Sequence, residues 1–342
     1  MYSKLKTCVL QGLNGHIVDV ETDLSRGLPA FNIVGLPDTA IKESKERVRS
    51  AIKNSGYEFP LNRITINLAP ANLKKDGSQM DLSIAIGILA AAEIVNLPDA
   101  NCIYLGELSL DGTINPIIGA LPMIISMREY GINKFIIPEL NKDECAIIED
   151  VDIIPVANLK QVCDFLNGKI VIEAYKGEIY SCDSISSNID FSDIKGQEGL
   201  KRAMQIAAAG SHNMLIVGPP GSGKTMSARR LPTILPSLNI EESIEVTKIY
   251  SIAGLLTNNK LITERPFRAP HHSSSGIAII GGGKIPKPGE VSLAHRGVLF
   301  FDELPEFQKN VLEVLRQPLE DGFVHISRVN ASLTYPSNFM FI

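Results

Sequence analysis

The stretch GPPGSGKT at 218–225 constrains this chain more than any other. It follows the apolar run NMLIVG (213–218), which reads as a strand, and leads into KTMSARRL, which reads as a helix. Gly218, Gly221 and Gly223 let the backbone curl so that several N–H groups face one anion. Pro219, Pro220 and Ser222 complete the loop, and the helix start adds partial positive charge. The spacing Gly-x-x-x-x-Gly-Lys-Thr lets Lys224 reach the β- and γ-phosphates of a nucleotide and lets Thr225 hold Mg²⁺. A plain glycine turn before a helix is the alternative, but the complete motif between strand and helix favours phosphate binding.

A second acidic site follows in chain order. In VLFFDE (298–303) four apolar residues place a strand in a core, and Asp302 and Glu303 emerge at its end. Beside a phosphate loop, one such acid completes a magnesium shell and the next polarises the attacking water. Alone, the pair would read equally well as a surface turn; its order after the phosphate loop favours catalysis.

The rest of the chain divides in two. In the first half PDTAIKESKERVRSAIKNSG (37–56) has Ile41, Val48 and Ile52 on one helical face. RITINLAP (63–70) reads as a strand, NCIYLGELSLDGTINPI (101–117) as two strands around an Asp-Gly turn, and KFIIP and VDIIPV as short buried strands. The sequence predicts an α/β or α+β domain over 1–168, a Ser/Asn-rich linker over 169–190, and a second α/β domain over 191–342. In the second domain FSDIKGQEGLKRAMQIAAAG (191–210) reads as a capped helix and PEFQKNVLEVLRQPLEDG (305–322) as a helix ending before Pro318. IAIIGGGKIPKPGEVSLA (277–294) reads as a hairpin with a Gly/Pro/Lys tip. The chain stops at YPSNFMFI inside an expected strand, which predicts a piece of a longer protein.

Composition narrows the class. The chain carries 44% hydrophobic and 21% charged residues, ordinary for a globular protein. No apolar run reaches the ~18 residues of a membrane span, and MYSKLKTCVLQG does not resemble a signal peptide. Five scattered cysteines, Cys8, Cys102, Cys145, Cys163 and Cys182, with no Cys-x-x-Cys pair, predict reduced packing residues in a cytoplasmic protein. Net charge is −5, divided as −8 over 1–190 and +3 over 191–342. On that division the first half is poor material for nucleic acid, and the second leaves it possible. Adjacent His271 and His272 are badly placed to share a metal, so hydrogen bonding within the segment is expected.

These motifs carry a resemblance. FSDIKGQ, the phosphate loop, and ERPFRAPHHSSSGIAIIGGGKIPKPGEVSLAHRGVLFFDELPEF (264–307) resemble the magnesium chelatase-like AAA+ ATPases, in particular the YifB/ComM group. The resemblance implies a P-loop NTPase domain of three-layer α/β type, with ATP and Mg²⁺ as cofactors. It implies Ile194 and Gln197 over the adenine, Lys224 and Glu303 in catalysis, and Thr225 and Asp302 on the magnesium. It also implies a homo-hexameric ring acting on single-stranded or branched DNA in recombination or competence. There Lys284 and Lys287, at the tip of the insert, are candidate phosphate contacts, against the alternative of a solvated loop. Arg316 and Arg328 are candidates for an arginine acting across subunits, and Asn338 is not the asparagine sensor of this family.

The first half resembles the Lon-protease fold (ribosomal S5 domain 2-like) in the order of its KDG loop, apolar helix, YLGELSLDGTINPIIGAL and KFIIP. The protease loop reads Lys-Asp-Gly-Pro-Ser; here it reads Lys75-Asp76-Gly77-Ser78-Gln79. Gln79 stands in the nucleophile's place, Pro122 in the lysine's, and Arg128 is no substitute because guanidinium stays protonated. A Lon-like fold without its Ser/Lys dyad is expected. The alternatives are a metal-insertion ATPase of chelatase type, against which the attached first domain argues, and an ATP-gated scaffold or chaperone.

Overall fold

The computed structural model describes residues 1–96, 99–177, 189–256, 261–283, 286–328 and 331–342. They form two compact units, Met1–Ile179 and Tyr180–Leu256 with Leu261–Ile342. Both are α/β, the class the sequence predicts.

The first unit contains β1 (Tyr2–Gln11), β2 (Asn14–Ser25), β3 (Ala30–Val34), α1 (Thr39–Asn54), β4 (Arg63–Ala69), α2 (Asp81–Ala91) and β5 (Cys102–Tyr104). It continues with β6 (Glu107–Leu108), β7 (Ile114–Asn115), α3 (Ala120–Glu129), β8 (Lys134–Pro138), α4 (Lys142–Cys145), β9 (Asp152–Val156) and α5 (Leu159–Leu166). Seven strands make one sheet in the order β3-β4-β2-β1-β5-β8-β9. The β1–β2 and β2–β4 pairs are antiparallel; the other neighbours are parallel.

Alternation along the strands feeds two cores. Cys102, Tyr104 and Ile136 face the side covered by α1, α2 and α5. Ile103, Phe135 and Ile137 face the side covered by α3, with its Met123, Ile124 and Met127. Period-two side-chain alternation makes such a three-layer arrangement the natural outcome. Helix α1 begins where Asp38 accepts the Ile41 N–H at 2.8 Å, and it buries Ile41, Val48 and Ile52. Helix α2 is buried along its whole length, as its largely apolar sequence, broken by Asp81 and Ser83, favours. The expected Asp-Gly turn joins β6 and β7, with Ser109 N–H donating to the Thr113 carbonyl.

One charged pair is set into this core. Asp81, at the first position of α2, accepts from Arg47 of α1 at 2.7 and 3.1 Å and from the Leu108 N–H at 3.3 Å. Its side chain is 2% exposed. Burial pushes the Asp81 carboxyl up to about 6, with Arg47 pulling it back down.

The second unit contains α6 (Glu198–Gly210), α7 (Lys224–Arg230), α8 (Ile240–Ala253), β10 (Phe267–Arg268), α9 (Gly276–Ile280), β11 (Gly281–Gly282), β12 (Lys287–Pro288) and α10 (Glu290–Leu293). Then follow β13 (Val298–Leu299), α11 (Lys309–Val314), α12 (Arg316–Asp321), β14 (Phe323–Arg328), β15 (Ala331–Pro336) and β16 (Met340–Phe341). Its central sheet is parallel, in the order β10-β13-β16. Met204, Ala207 and Ala208 of α6 pack on Val298, Phe300 and Met340. At Gly297 a Cβ would lie 2.0 Å from the Pro266 carbonyl oxygen, so only glycine lets β13 approach β10 this closely.

Four expectations are corrected in this unit. NMLIVG is not a regular strand. Met214 N–H donates to the Phe341 carbonyl, but the Asn213 side chain takes the Phe341 N–H that a ladder would use. Segment 191–210 is a 3-10 turn at Phe191–Asp193 followed by α6, separated by Gln197 in the left-handed conformation. Segment 305–322 divides into a 3-10 turn and two short helices, and Pro318 lies inside α12. Segment 277–294 is not one long hairpin. Ser275 Oγ accepts the Ala278 N–H at 3.2 Å and caps a helix, α9, where an apolar strand arm was expected. Among the described residues of the segment, only Gly281–Gly282 and Lys287–Pro288 pair as strands.

No helix among the described residues is long and apolar enough to cross a membrane. Cys8, Cys102, Cys145 and Cys163 are buried and free, and Cys182 lies outside the described residues.

Replacing Arg47 by Ala leaves the Asp81 charge buried without its partner, which costs about 3–5 kcal/mol. A carboxyl whose pKa is raised in the fold favours folding most below its unfolded value, and that contribution is lost as pH rises through about 6. Urea denaturation is therefore expected to show a large deficit for Arg47→Ala at pH 7.5 that narrows towards pH 5. A deficit that ignores pH would place the cost in lost packing.

Candidate nucleotide site

The phosphate loop stands at the start of α7. Gly221 and Gly223 have φ of +76° and +84°, a region that side chains enter only under strain. Thr225 Oγ1 donates to Asp302 Oδ2 at 2.7 Å, joining the phosphate loop to the end of β13. Lys224 Nζ turns back on its own loop and donates to the carbonyls of Gly218 at 2.8 Å and Pro219 at 2.9 Å. A cavity of about 790 Å³ lies beside the loop's two ends, lined by Gly218, Lys224, Asp302 and Glu303 together with apolar Leu215 and Phe341.

The acids are positioned by the strand behind them. Val298 and Leu299 are fully buried, and Phe300 and Phe301 nearly so. Phe300 N–H donates to Arg268 and Phe301 N–H to Ile342, each at 2.8 Å, so the extended backbone continues beyond the two residues of β13. Phe301 stacks on Phe307 at 4.1 Å and meets the edge of Phe341 at 5.2 Å. These rings hold the turn, and Asp302 and Glu303 come out exposed at its crest. Glu303 has φ of +56°, a left-handed conformation rare for a residue with a side chain.

The 190–197 segment is tied to the same helix. Ile194 is buried and Gln197 exposed. Asp190 and Asp193 form a capping box, and Asp193 also accepts from Arg230, the last residue of α7, at 3.1 Å. Sequence reading missed Asp193 and Arg230, which lie 37 residues apart with no shared periodicity.

It also missed a charged cluster beneath the sheet. Arg296 bridges Glu242 at 3.4 Å and Glu245 at 3.0 Å, and Arg265 pairs with Glu242 at 3.4 Å. His295 Nδ1 accepts from the Asn338 N–H, which leaves the ring proton on Nε2 facing Glu245 at 3.2 Å. Burial holds the His295 pKa below its ordinary value. The Arg296 N–H donates to the Asn338 carbonyl at 2.6 Å, so the cluster fixes where β13 and β16 begin. The adjacent signs in HRG and the acids of IEESIE were its only sequence trace.

The remaining candidates are dispersed. His271 Nδ1 lies 2.8 Å from Ser273 Oγ, the local hydrogen bonding expected, and His272 sets its edge on Phe307. Among the described residues no cluster of three His, Cys, Asp or Glu could hold a metal by itself. Lys287 is exposed on β12, and Lys284 lies outside the described residues. Arg316 pairs with Glu320 at 2.9 Å; the Arg328 side chain lies outside the described residues. In the first unit Lys75 is fully buried and donates to the Pro70 carbonyl, while Ser78 donates to Glu107. Burial lowers the Lys75 pKa, yet lysine and serine serve different partners.

Comparison with known proteins follows this division. The family described as magnesium chelatase, subunit ChlI, matches residues 190–342, and a second, described as subunit ChlI of Mg-chelatase, matches residues 20–141. YifB of Escherichia coli (strain K12) is 46% identical over 334 residues, covering 97% of this chain and 65% of that protein. The competence protein ComM of Haemophilus influenzae is 43% identical over 336 residues, covering 97% of this chain and 66% of that protein. The magnesium-chelatase 38 kDa subunit of Rhodobacter capsulatus is 27% identical over 169 residues, covering 44% of this chain and 48% of that protein. The chain thus spans about 65% of the length of the first two relatives. Because a chelatase-described family matches the first unit too, that unit does not by itself argue against a chelatase reading. The YifB and ComM alignments run through both units, whereas the chelatase-subunit alignment covers 44% of this chain.

The left-handed Glu303 makes a stability prediction. Such a conformation costs on the order of 1 kcal/mol with a side chain and little with glycine. Glu303→Gly is expected to raise stability in urea denaturation by about that amount. A fall would mean that the Glu303 side chain itself holds the turn.

Proposed function

The chain belongs to the YifB/ComM group of the magnesium chelatase-like family, and from that premise we propose that it is an ATP-binding and ATP-hydrolysing motor of AAA+ type. The observation that carries the reading is the Thr225–Asp302 contact at 2.7 Å, with Glu303 next in sequence. A hydroxyl and a carboxylate in contact, beside a glycine loop with left-handed Gly221 and Gly223, are the donor set a hard cation with a phosphate ligand takes. These residues therefore fit Mg²⁺ and ATP.

Thr225 and Asp302 would hold a magnesium ion, which would supply positive charge against the charge developing on the phosphates during transfer. The chain's own residues do the rest. Gly218, Pro219, Pro220, Gly221, Ser222 and Gly223 shape the loop whose N–H groups receive the phosphates. Lys224 exchanges its two backbone carbonyl partners for phosphate oxygens, a gain because bonds to an ionised acceptor are the stronger ones. Thr225 and Asp302, already in contact, are the pair that would ligate the cation. Glu303 orients a water molecule and takes its proton as the new P–O bond forms and the bond from the terminal phosphorus to the departing nucleoside diphosphate breaks. Ile194 and Gln197 cover the base.

We further propose that the protein works as a homo-hexameric ring on DNA in the cytoplasm, in recombination or competence. The high identity to a protein named for competence, running through both units, supports this over metal insertion. An ATP-gated scaffold is separated from it by turnover. The first unit is proposed to be proteolytically inert, because Ser78 and Lys75 are engaged with Glu107 and Pro70.

Glu303→Gln is expected to retain ATP binding while slowing hydrolysis by about 10²–10⁴, the usual contribution of a positioned base. Lys224→Ala is expected to lose binding itself, each charge-assisted contact contributing roughly 1.5–3 kcal/mol. Calorimetry for binding and phosphate release for turnover separate the two. Unchanged ATP affinity in Lys224→Ala sinks the phosphate-loop assignment, and unchanged turnover in Glu303→Gln moves the base elsewhere.

A further inference from the structure

The first unit is acidic as a whole, but its charge is segregated. Residues 26–63 hold seven Lys+Arg and four Asp+Glu, whereas the other residues of 1–190 hold ten and twenty-one. One stretch is therefore +3 on a background of −11. The structure gathers much of that stretch on one face. Lys42, Lys45, Arg49 and Lys53 fall within about 80° of the circumference of α1 and run about 16 Å along it. Arg47 is not part of the stripe; it points to Asp81. Glu46 and Glu43 lie on one flank of the stripe, away from the buried side.

Aromatic rings border the other flank. Phe31 of β3 and Phe59 lie 6.0 Å apart at 42°, both half-buried. Lys45 Nζ sits 6.0 Å over Phe31, and the Arg49 guanidinium 5.6 Å over Phe59. The cation–π contacts hold two cationic heads in place before any partner arrives. Next to them β3 forms the edge of the sheet, paired only with β4 among the described residues. Arg26 and Arg63 add charge at its start, and Leu28 and Leu61 are exposed there.

We propose that this face, formed by the basic stripe of α1 with Phe31, Phe59 and the edge strand β3, binds single-stranded nucleic acid. A row of cations beside aromatic surface matches what single strands offer, phosphates at regular steps and bases with open faces. Arg guanidinium planes themselves serve as stacking platforms, and the outward face of Arg49 is free to do so. The remaining residues of 1–190, at −11, disfavour a polyanion on average, which biases its approach towards this face. An acidic first half thus contains a place for nucleic acid that its summed charge conceals. The proposal deepens the DNA reading above by assigning it a surface far in sequence from the phosphate loop, and it shares nothing with the ATP assignment.

The test is fluorescence anisotropy of a labelled oligothymidylate against the full chain without nucleotide, at several salt concentrations. The double reversal Lys45→Glu/Arg49→Glu is expected to weaken binding at least ~10-fold and to flatten the log–log salt slope by about 1.4, two single-strand phosphate contacts. The exchange Lys45→Arg/Arg49→Lys is expected to keep both. Thermal melting monitors the fold; should the reversal not fold, the exposed pair Lys42→Ala/Lys53→Ala is expected to flatten the slope by the same amount. Wild-type binding that no variant changes overturns this face and leaves the DNA reading standing. No binding by the wild type at low salt overturns both. Displacement by polyglutamate as effective as by an oligonucleotide of equal charge overturns it in favour of an acidic protein partner.

Discussion

The second unit depends on one buried parallel strand. Val298 to Phe301 run through the centre of a small sheet, bonded to Arg268 on one side and Ile342 on the other. A strand covered on both faces must be apolar throughout, so polar chemistry appears only where it ends. Asp302 and Glu303 stand at that end, and Thr225 reaches Asp302 from the phosphate loop. The ligand site of an open parallel sheet forms outside the carboxyl ends of its strands for the same reason. The rings of Phe301, Phe307 and Phe341 then fix the turn, and the Glu242–Arg296–Glu245 cluster fixes where the strands begin.

The first unit obeys a different constraint. Its α2 is buried on every side, so the only place for charge near it is its first residue, Asp81, and that charge must be matched by Arg47. The neighbouring loop follows the same rule. Lys75 is fully buried and must spend its ammonium on the Pro70 carbonyl, while Ser78 turns to Glu107. With Gln79 and Pro122 at the two places a hydrolytic pair would take, the loop instead closes the mouth of a core helix. Among the described residues the other cations along α1 have no such carboxylate partner, and they gather near the sheet edge.

How much of this was legible depended on the distance over which each feature is determined. The phosphate loop, the acid strand and α1 could be read because their chemistry lies within a few consecutive residues: glycine spacing, an apolar run before two acids, an Asp38 cap before a periodic face. Errors arose where a local signal was outweighed by a neighbour. The Ser275 cap turned an expected strand arm into α9. The Asn213 side chain displaced a ladder bond that NMLIVG would otherwise have made. The pairs Asp193–Arg230 and Glu245–Arg296 join residues 37 and 51 positions apart, beyond any window of periodicity. Net charge misled for the opposite reason: a sum over 190 residues averaged away a cationic stripe that only the helix geometry of α1 lines up.

The central claim is that Thr225 and Asp302 act as one cation-holding pair for a bound nucleotide. A double-mutant cycle on ATP affinity, measured by calorimetry with and without Mg²⁺, tests it most directly. Thr225→Ala and Asp302→Asn are each predicted to remove most of the magnesium-dependent gain in affinity, and the double variant to lose little more than either single one, because coupled partners are not additive. Without Mg²⁺ all four proteins are predicted to bind alike. Additive losses, or losses that persist equally in the absence of Mg²⁺, would show that the two residues act separately and that the contact between them is only a contact.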